Sequence, residues 1–130
     1  MVNAVRRAGP EMRQSLRALL DELRRYAKRH EDEIVVRVMS RWISLRSRRA
    51  GKIFAELRPS KEKVEIFLLP PPGELGDRPE VFRPPPSQGW GWFRSKSLID
   101  GEGDLRRAAK ILRISYLSTI RGNGRGSGKR

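Results

Sequence analysis

The 130-residue chain has no cysteine, one histidine, and 15 acidic side chains against 29 lysines and arginines. Without cysteine there is no disulfide framework, no thiolate metal site and no thiol nucleophile, and a reducing compartment is weakly favoured, with the cytoplasm the simplest address. With His30 as the sole imidazole, serine nucleophiles lack an evident base, and the spacing of Ser40, Ser44, Ser60, Ser95 and Ser97 suggests none. No Asp or Glu is followed two residues later by Lys, the pairing common in metal-dependent nuclease sites. Glu31, Asp32 and Glu33 are clustered but fall at a helix-to-strand junction, which is a poor place for a metal. Gly89, Gly91, Gly101 and Gly103 lack the strand and helix context of a nucleotide-binding loop. No apolar run approaches the ~20 residues that span a bilayer, and Arg13 and Arg17 interrupt any secretory leader. The expectation is a chain with no catalytic residues, no metal, no cofactor and no membrane insertion.

What is present in excess is positive charge. The formal net charge is +14, and a compact chain so charged repels itself, so a polyanionic partner is the usual reason to keep it. Arginine-rich codon bias is the alternative origin. At this length one domain with one core is expected.

From Glu11 to His30, Leu16, Leu19, Leu20, Leu23, Tyr26 and Ala27 recur at helical spacing behind Pro10, with Arg13, Arg17, Arg24, Arg25, Lys28 and Arg29 on the other face. His30 then suits the helix end, where a cation complements the dipole. The period changes to two at Ile34, Val36 and Val38, again at Ile43 and Leu45, at Ile53, Ala55 and Leu57, and at Val64, Ile66 and Leu68. Residues 42–69 therefore predict an antiparallel meander with its first turn near Arg48 to Gly51. Seven of the nine prolines lie between Pro70 and Pro86, which excludes a helix interior or a central strand; Phe82 is expected to pack back on the domain. Trp90 to Ile99 offers a further strand, and Asp104 an N-cap for a helix to Arg121 buried through Leu105, Ala108, Ala109, Leu112, Tyr116 and Ile120. The fold class is α+β: N-terminal helix, antiparallel meander of three to five strands, proline-rich loop and C-terminal helix, both helices on one sheet face. Residues 1–10 read as an N-terminal extension, 11–121 as the domain and 122–130 as a disordered basic tail.

Four segments carry a resemblance to a family. They are Trp42-Ile43-Ser44-Leu45; Ile53 to Pro59 with Lys61 and Lys63 after it; Leu68 to Leu75; and Trp90-Gly91 followed by Asp104-Leu105 and Ser115-Tyr116. In this order they resemble the DUF5655 family, a domain of unknown function found as a small prokaryotic α/β unit. The resemblance spans about Leu19 to Tyr116 and implies no established activity. It implies a unit often appended to larger proteins, here expected to stand alone. Family members tend to carry His before the Trp-Gly pair where this chain has Gly89, so chemistry relying on that imidazole is in doubt.

The expected function is a non-enzymatic accessory domain that binds nucleic acid, DNA or RNA, without strong sequence preference. Arg46, Arg48, Arg49, Lys52, Arg58, Lys61 and Lys63 are the candidate phosphate contacts in the meander, joined by Arg125, Lys129 and Arg130 of the tail. Trp92 is the candidate for stacking on a base, since alternation sets it opposite Phe93, while Trp42 and Trp90 read as core. The alternative is an interaction module that docks an acidic protein through the proline-rich loop and nearby aromatics.

Overall fold

Pro10 opens a 20-residue helix where its missing N–H leaves nothing unsatisfied, and Met12, Leu16, Leu19, Leu23 and Ala27 follow along one buried stripe. A computed structural model describes residues 3–61, 63–84, 93–100 and 104–122. In chain order these form α1 (Ala4–Arg7), α2 (Pro10–Arg29), β1 (Ile34–Val38), β2 (Ile43–Ser47), β3 (Lys52–Pro59), β4 (Lys63–Leu68), a 3-10 turn (Pro72–Leu75), β5 (Ser95–Asp100) and α3 (Leu105–Arg121). The five strands make one antiparallel sheet in the order β1-β2-β3-β4-β5. This is the expected α+β single domain at the upper end of its strand count. No helix among the described residues is long and apolar enough to cross a membrane.

The core lies between the helices and one sheet face. Ile43, Leu45, Leu57, Val64, Ile66, Leu68 and Ile99 are buried there with Leu16, Leu23, Leu112 and Tyr116 of the helices. Leu20, Tyr26, Leu105 and Ile120 sit at its margin, half-buried. The nominal extension belongs to this core as well: Ala4 and Ala8 are buried, because α1 packs beside β3 and Ala4 N–H donates to the Met39 carbonyl.

Five expectations need correction. Trp42, read as core, is half-buried, with the Arg58 guanidinium 5.7 Å from its ring centroid. The alternation in β3 breaks at Phe54, the extra residue of a bulge where the β2 register jumps from Leu45↔Ala55 to Arg46↔Ile53. The bulge turns Phe54 into the core against Tyr116, ring centroids 5.4 Å apart, and leaves Ile53 half-buried. The displaced Phe54 carbonyl is satisfied by Ser115 Oγ at 2.9 Å and Leu69 N–H at 3.1 Å. In the proline-rich excursion it is Leu75 and Val81 that are buried, while Phe82 is 47% exposed because its main chain, not its ring, joins the sheet through Lys96. Asp104 stands at the N-cap of α3 without capping it; its carboxylate instead accepts from Asp100 N–H at 2.9 Å, fastening the helix to the end of β5. The last strand begins at Ser95 rather than near residue 90, with Phe93 buried just before it against Phe67. Trp90, Trp92 and residues 123–130 lie outside the described residues.

Candidate nucleic-acid interface

Successive turns of a meander fall at opposite ends of the sheet, which divides the basic residues into two groups. The β2–β3 turn holds Arg48 and Arg49 and leads to Lys52 at one end; the β1–β2 and β3–β4 turns hold Arg41 and Lys61, and Lys63 opens β4, at the other. The eight residues of β3 separate the two ends by roughly 25 Å.

The first end is a structural joint. α2 closes with His30 at its C-cap and Glu31 in the left-handed region at φ 55°, and Asp32 N–H reaches back to the Ala27 carbonyl at 3.0 Å. Asp32 is thereby aimed at the β2–β3 turn. One of its oxygens accepts from Glu33 N–H (2.7 Å) and Arg49 N–H (2.9 Å), the other from Ser47 Oγ (2.6 Å) and Tyr116 OH (2.7 Å). Burial works to raise its pKa, but the four hydrogen bonds outweigh it and hold the carboxylate below its ordinary range. Burial pushes the Tyr116 hydroxyl up, and the bond to Asp32 and its charge push it further. Gly51, at φ +69°, completes the turn with its N–H on the Ser47 carbonyl, a conformation that suits glycine. Arg48 pairs with Glu33 at 2.8 Å and Arg49 donates to the His30 carbonyl at 3.0 Å. His30 packs its ring near Tyr26 and Tyr116. The hollow of about 360 Å³ at this end is lined by Lys28, Arg48 and Arg49 against Glu31, Asp32 and Glu33, so its charges cancel. No group of three or more metal-ligating side chains occurs among the described residues.

The second end is different. The junction between α1 and α2 runs against the β3–β4 turn, Gly9 N–H donating to the Lys61 carbonyl at 2.9 Å, and a Cβ at Gly9 would stand 3.1 Å from that oxygen. This close approach brings Arg7 to the sheet, where its Nε donates to the Ser40 carbonyl at 3.2 Å. On the outer sheet face, register sets Trp42, Arg58, Glu65 and Leu98 side by side. Together they bound a cleft of about 620 Å³ lined by Arg7, Arg41, Trp42, Arg58, Pro59, Ser60, Lys63, Glu65 and Leu98. Among the described residues of this lining four cations face one carboxylate, Glu65, which is paired with Lys96 at 2.8 Å. Arg7, Arg41 and Lys63 are exposed.

Arg58 forms the floor of the cleft. Its guanidinium bonds Glu56 at 2.9 Å and lies 4.7 Å from the Phe67 ring centroid and 5.7 Å from that of Trp42. Burial pushes the Glu56 carboxyl up, and the Arg58 bond and charge offset only part of that. Of the sequence candidates, the structure brings Arg58 and Lys63 into the cleft, sets Lys61 in the turn above it, and places Arg48, Arg49 and Lys52 at the far end. Arg46 stands exposed on the outer face of β2, beyond the cleft lining. Arg7 and Arg41 were not among the candidates; the signal available for Arg41 was its position in a turn that shares an end with Lys61 and Lys63.

No family model, curated protein or solved structure matches the chain.

Proposed function

We propose that this protein is a non-enzymatic nucleic-acid-binding domain that grips the phosphate backbone with little sequence preference. The observation that supports it is the cleft at the Arg41 end, where Arg7, Arg41, Arg58 and Lys63 converge against one carboxylate among the described residues, itself already paired. Exposed Arg7, Arg41 and Lys63 are the phosphate contacts of this reading, with Lys61 close by, while Arg58 supplies field from beneath. Contacts of this kind neutralise phosphates and carry no base information. Oligonucleotides of unrelated sequence, DNA and RNA, should bind with similar affinity and a steep dependence on salt, read by fluorescence anisotropy over a salt series. Absence of binding to any of them at about 0.05 M salt, where backbone contacts are strongest, overturns the reading and leaves an acidic protein as the partner to seek.

A further inference from the structure

The Arg41-end cleft offers more than charge. Trp42, Pro59 and Leu98 line it beside the four cations, and Leu98 is 39% exposed. Phosphate oxygens gain nothing from an apolar wall. Trp42 stands there because Ile43 and Leu57 pair across β2 and β3 on the core face, which by alternation turns Trp42 and Arg58 to the outer one. Met39 N–H donates to the Trp42 carbonyl at 2.8 Å, and Arg58, itself held by Glu56 at 2.9 Å, lies 5.7 Å from the centroid of the indole. The ring is thus positioned by the protein itself, half-buried in the cleft wall. Exposed Arg41 precedes it in the chain, and exposed Lys63 lines the same cleft.

We propose that Trp42 is a base-stacking platform that makes the cleft a site for single-stranded rather than double-stranded nucleic acid; this rests on the reading of the cleft as a phosphate grip. A base in a duplex presents only its edges, in the grooves, because neighbouring pairs cover both of its faces. In a single strand a base can lay its face on the indole while its flanking phosphates meet Arg41 and Lys63. The cleft, at about 620 Å³, falls within the roughly 300–1,000 Å³ of pockets that enclose a small molecule, a scale that suits the nucleotides of one strand and not a double helix. Stacking tolerates any base, since every base has a π-face, and so agrees with a grip that ignores sequence. Charge alone would favour the duplex, whose two strands concentrate phosphate. Preference for a single strand is therefore the signature of the ring.

Fluorescence anisotropy of the whole chain at about 0.15 M salt tests this with probes of equal length: an oligothymidine strand, its duplex with oligoadenine, and a strand of abasic deoxyribose phosphates. The parent should bind the thymidine strand about tenfold more tightly than the abasic one, the scale of one stacked base, and more tightly than the duplex. Trp42→Leu should lose that tenfold on the thymidine strand and keep the parent's affinity for the abasic strand, which also shows that its cations are in place. In a chain carrying Trp90→Phe and Trp92→Phe, Trp42 is the sole tryptophan, and the thymidine strand should quench its fluorescence where the abasic strand does not. That arm and the parent's own preferences stay decisive if Trp42→Leu does not fold. Equal parent affinity for thymidine and abasic strands overturns the proposal, as does tighter binding of the duplex or an unquenched Trp42. A folded Trp42→Leu chain that keeps the parent's preference, or loses the same factor on both strands, overturns it too. In each of these cases the phosphate grip still stands, whereas no binding of any probe at about 0.05 M salt removes both readings.

Discussion

Single residues decide how the two layers are joined. Asp32 ties the end of α2, the β2–β3 turn and Tyr116 of α3 together, and nothing local in a Glu-Asp-Glu run announces that role, because three of its partners come from distant parts of the chain. Tyr116→Phe should cost roughly 1.5–3 kcal/mol, the usual range for a hydrogen bond to a charged acceptor, measured by urea denaturation at neutral pH. The linkage is directional. Tyr116 has a folded pKa above its ordinary 10.0, so its contribution is complete below that value and is lost as pH rises through the folded one. Asp32 has a folded pKa below its ordinary 3.8, so its contribution is complete above 3.8 and is lost as pH falls through the folded one. The parent should therefore lose stability on the alkaline side more steeply than Tyr116→Phe, and equal alkaline limbs would contradict the assignment. Glu31→Gly relieves a left-handed glutamate and should raise stability by roughly 0.5–1 kcal/mol, visible as a higher thermal midpoint.

At the scale of elements, the period-2 and period-3.6 patterns located both long helices and the strands, because each buries one face or stripe and solvates the other. Where that condition fails, the reading slipped. The bulge at Phe54 adds one residue to β3 without any local signature, since Phe, Ala and Ile all suit a strand on either face. Downstream of the bulge the alternation is restored, which is why Leu57 still falls in the core between Ile43 and Ile66. Leu57→Ala should destabilise by roughly 2–4 kcal/mol in the same denaturation experiment; a loss below about 0.5 kcal/mol would place Leu57 outside the packed face. In the proline-rich excursion the prolines were legible as breakers and Leu75 and Val81 as bulky anchors, but the polar anchoring was not: the hydroxyls of Ser95 and Ser97 donate to the Pro70 and Glu80 carbonyls at 2.6 and 2.9 Å.

For the molecule as a whole, the charge imbalance was plain in composition, but its distribution depends on topology. Arg48 and Arg49 are adjacent to the meander's other cations in sequence, yet they sit at a joint where Glu33 pairs with Arg48 and the His30 carbonyl accepts from the Arg49 guanidinium, while Arg7 reaches the opposite end because the α1–α2 junction runs against the β3–β4 turn. In the proposed function the Arg41-end cleft, and not basic charge in general, holds nucleic acid. The most direct measurement compares two charge-reversed triple variants over a salt series by anisotropy with one oligonucleotide: Arg7→Glu with Arg41→Glu and Lys63→Glu, and Arg48→Glu with Arg49→Glu and Lys52→Glu. Both remove three positive charges, and circular dichroism checks that each is folded. The cleft variant should weaken binding at about 0.15 M salt and flatten the slope of log affinity against log salt by about one unit per lost contact, while the far-end variant keeps the parent slope. Equal losses in the two variants, or a parent slope in the cleft variant, would contradict the claim.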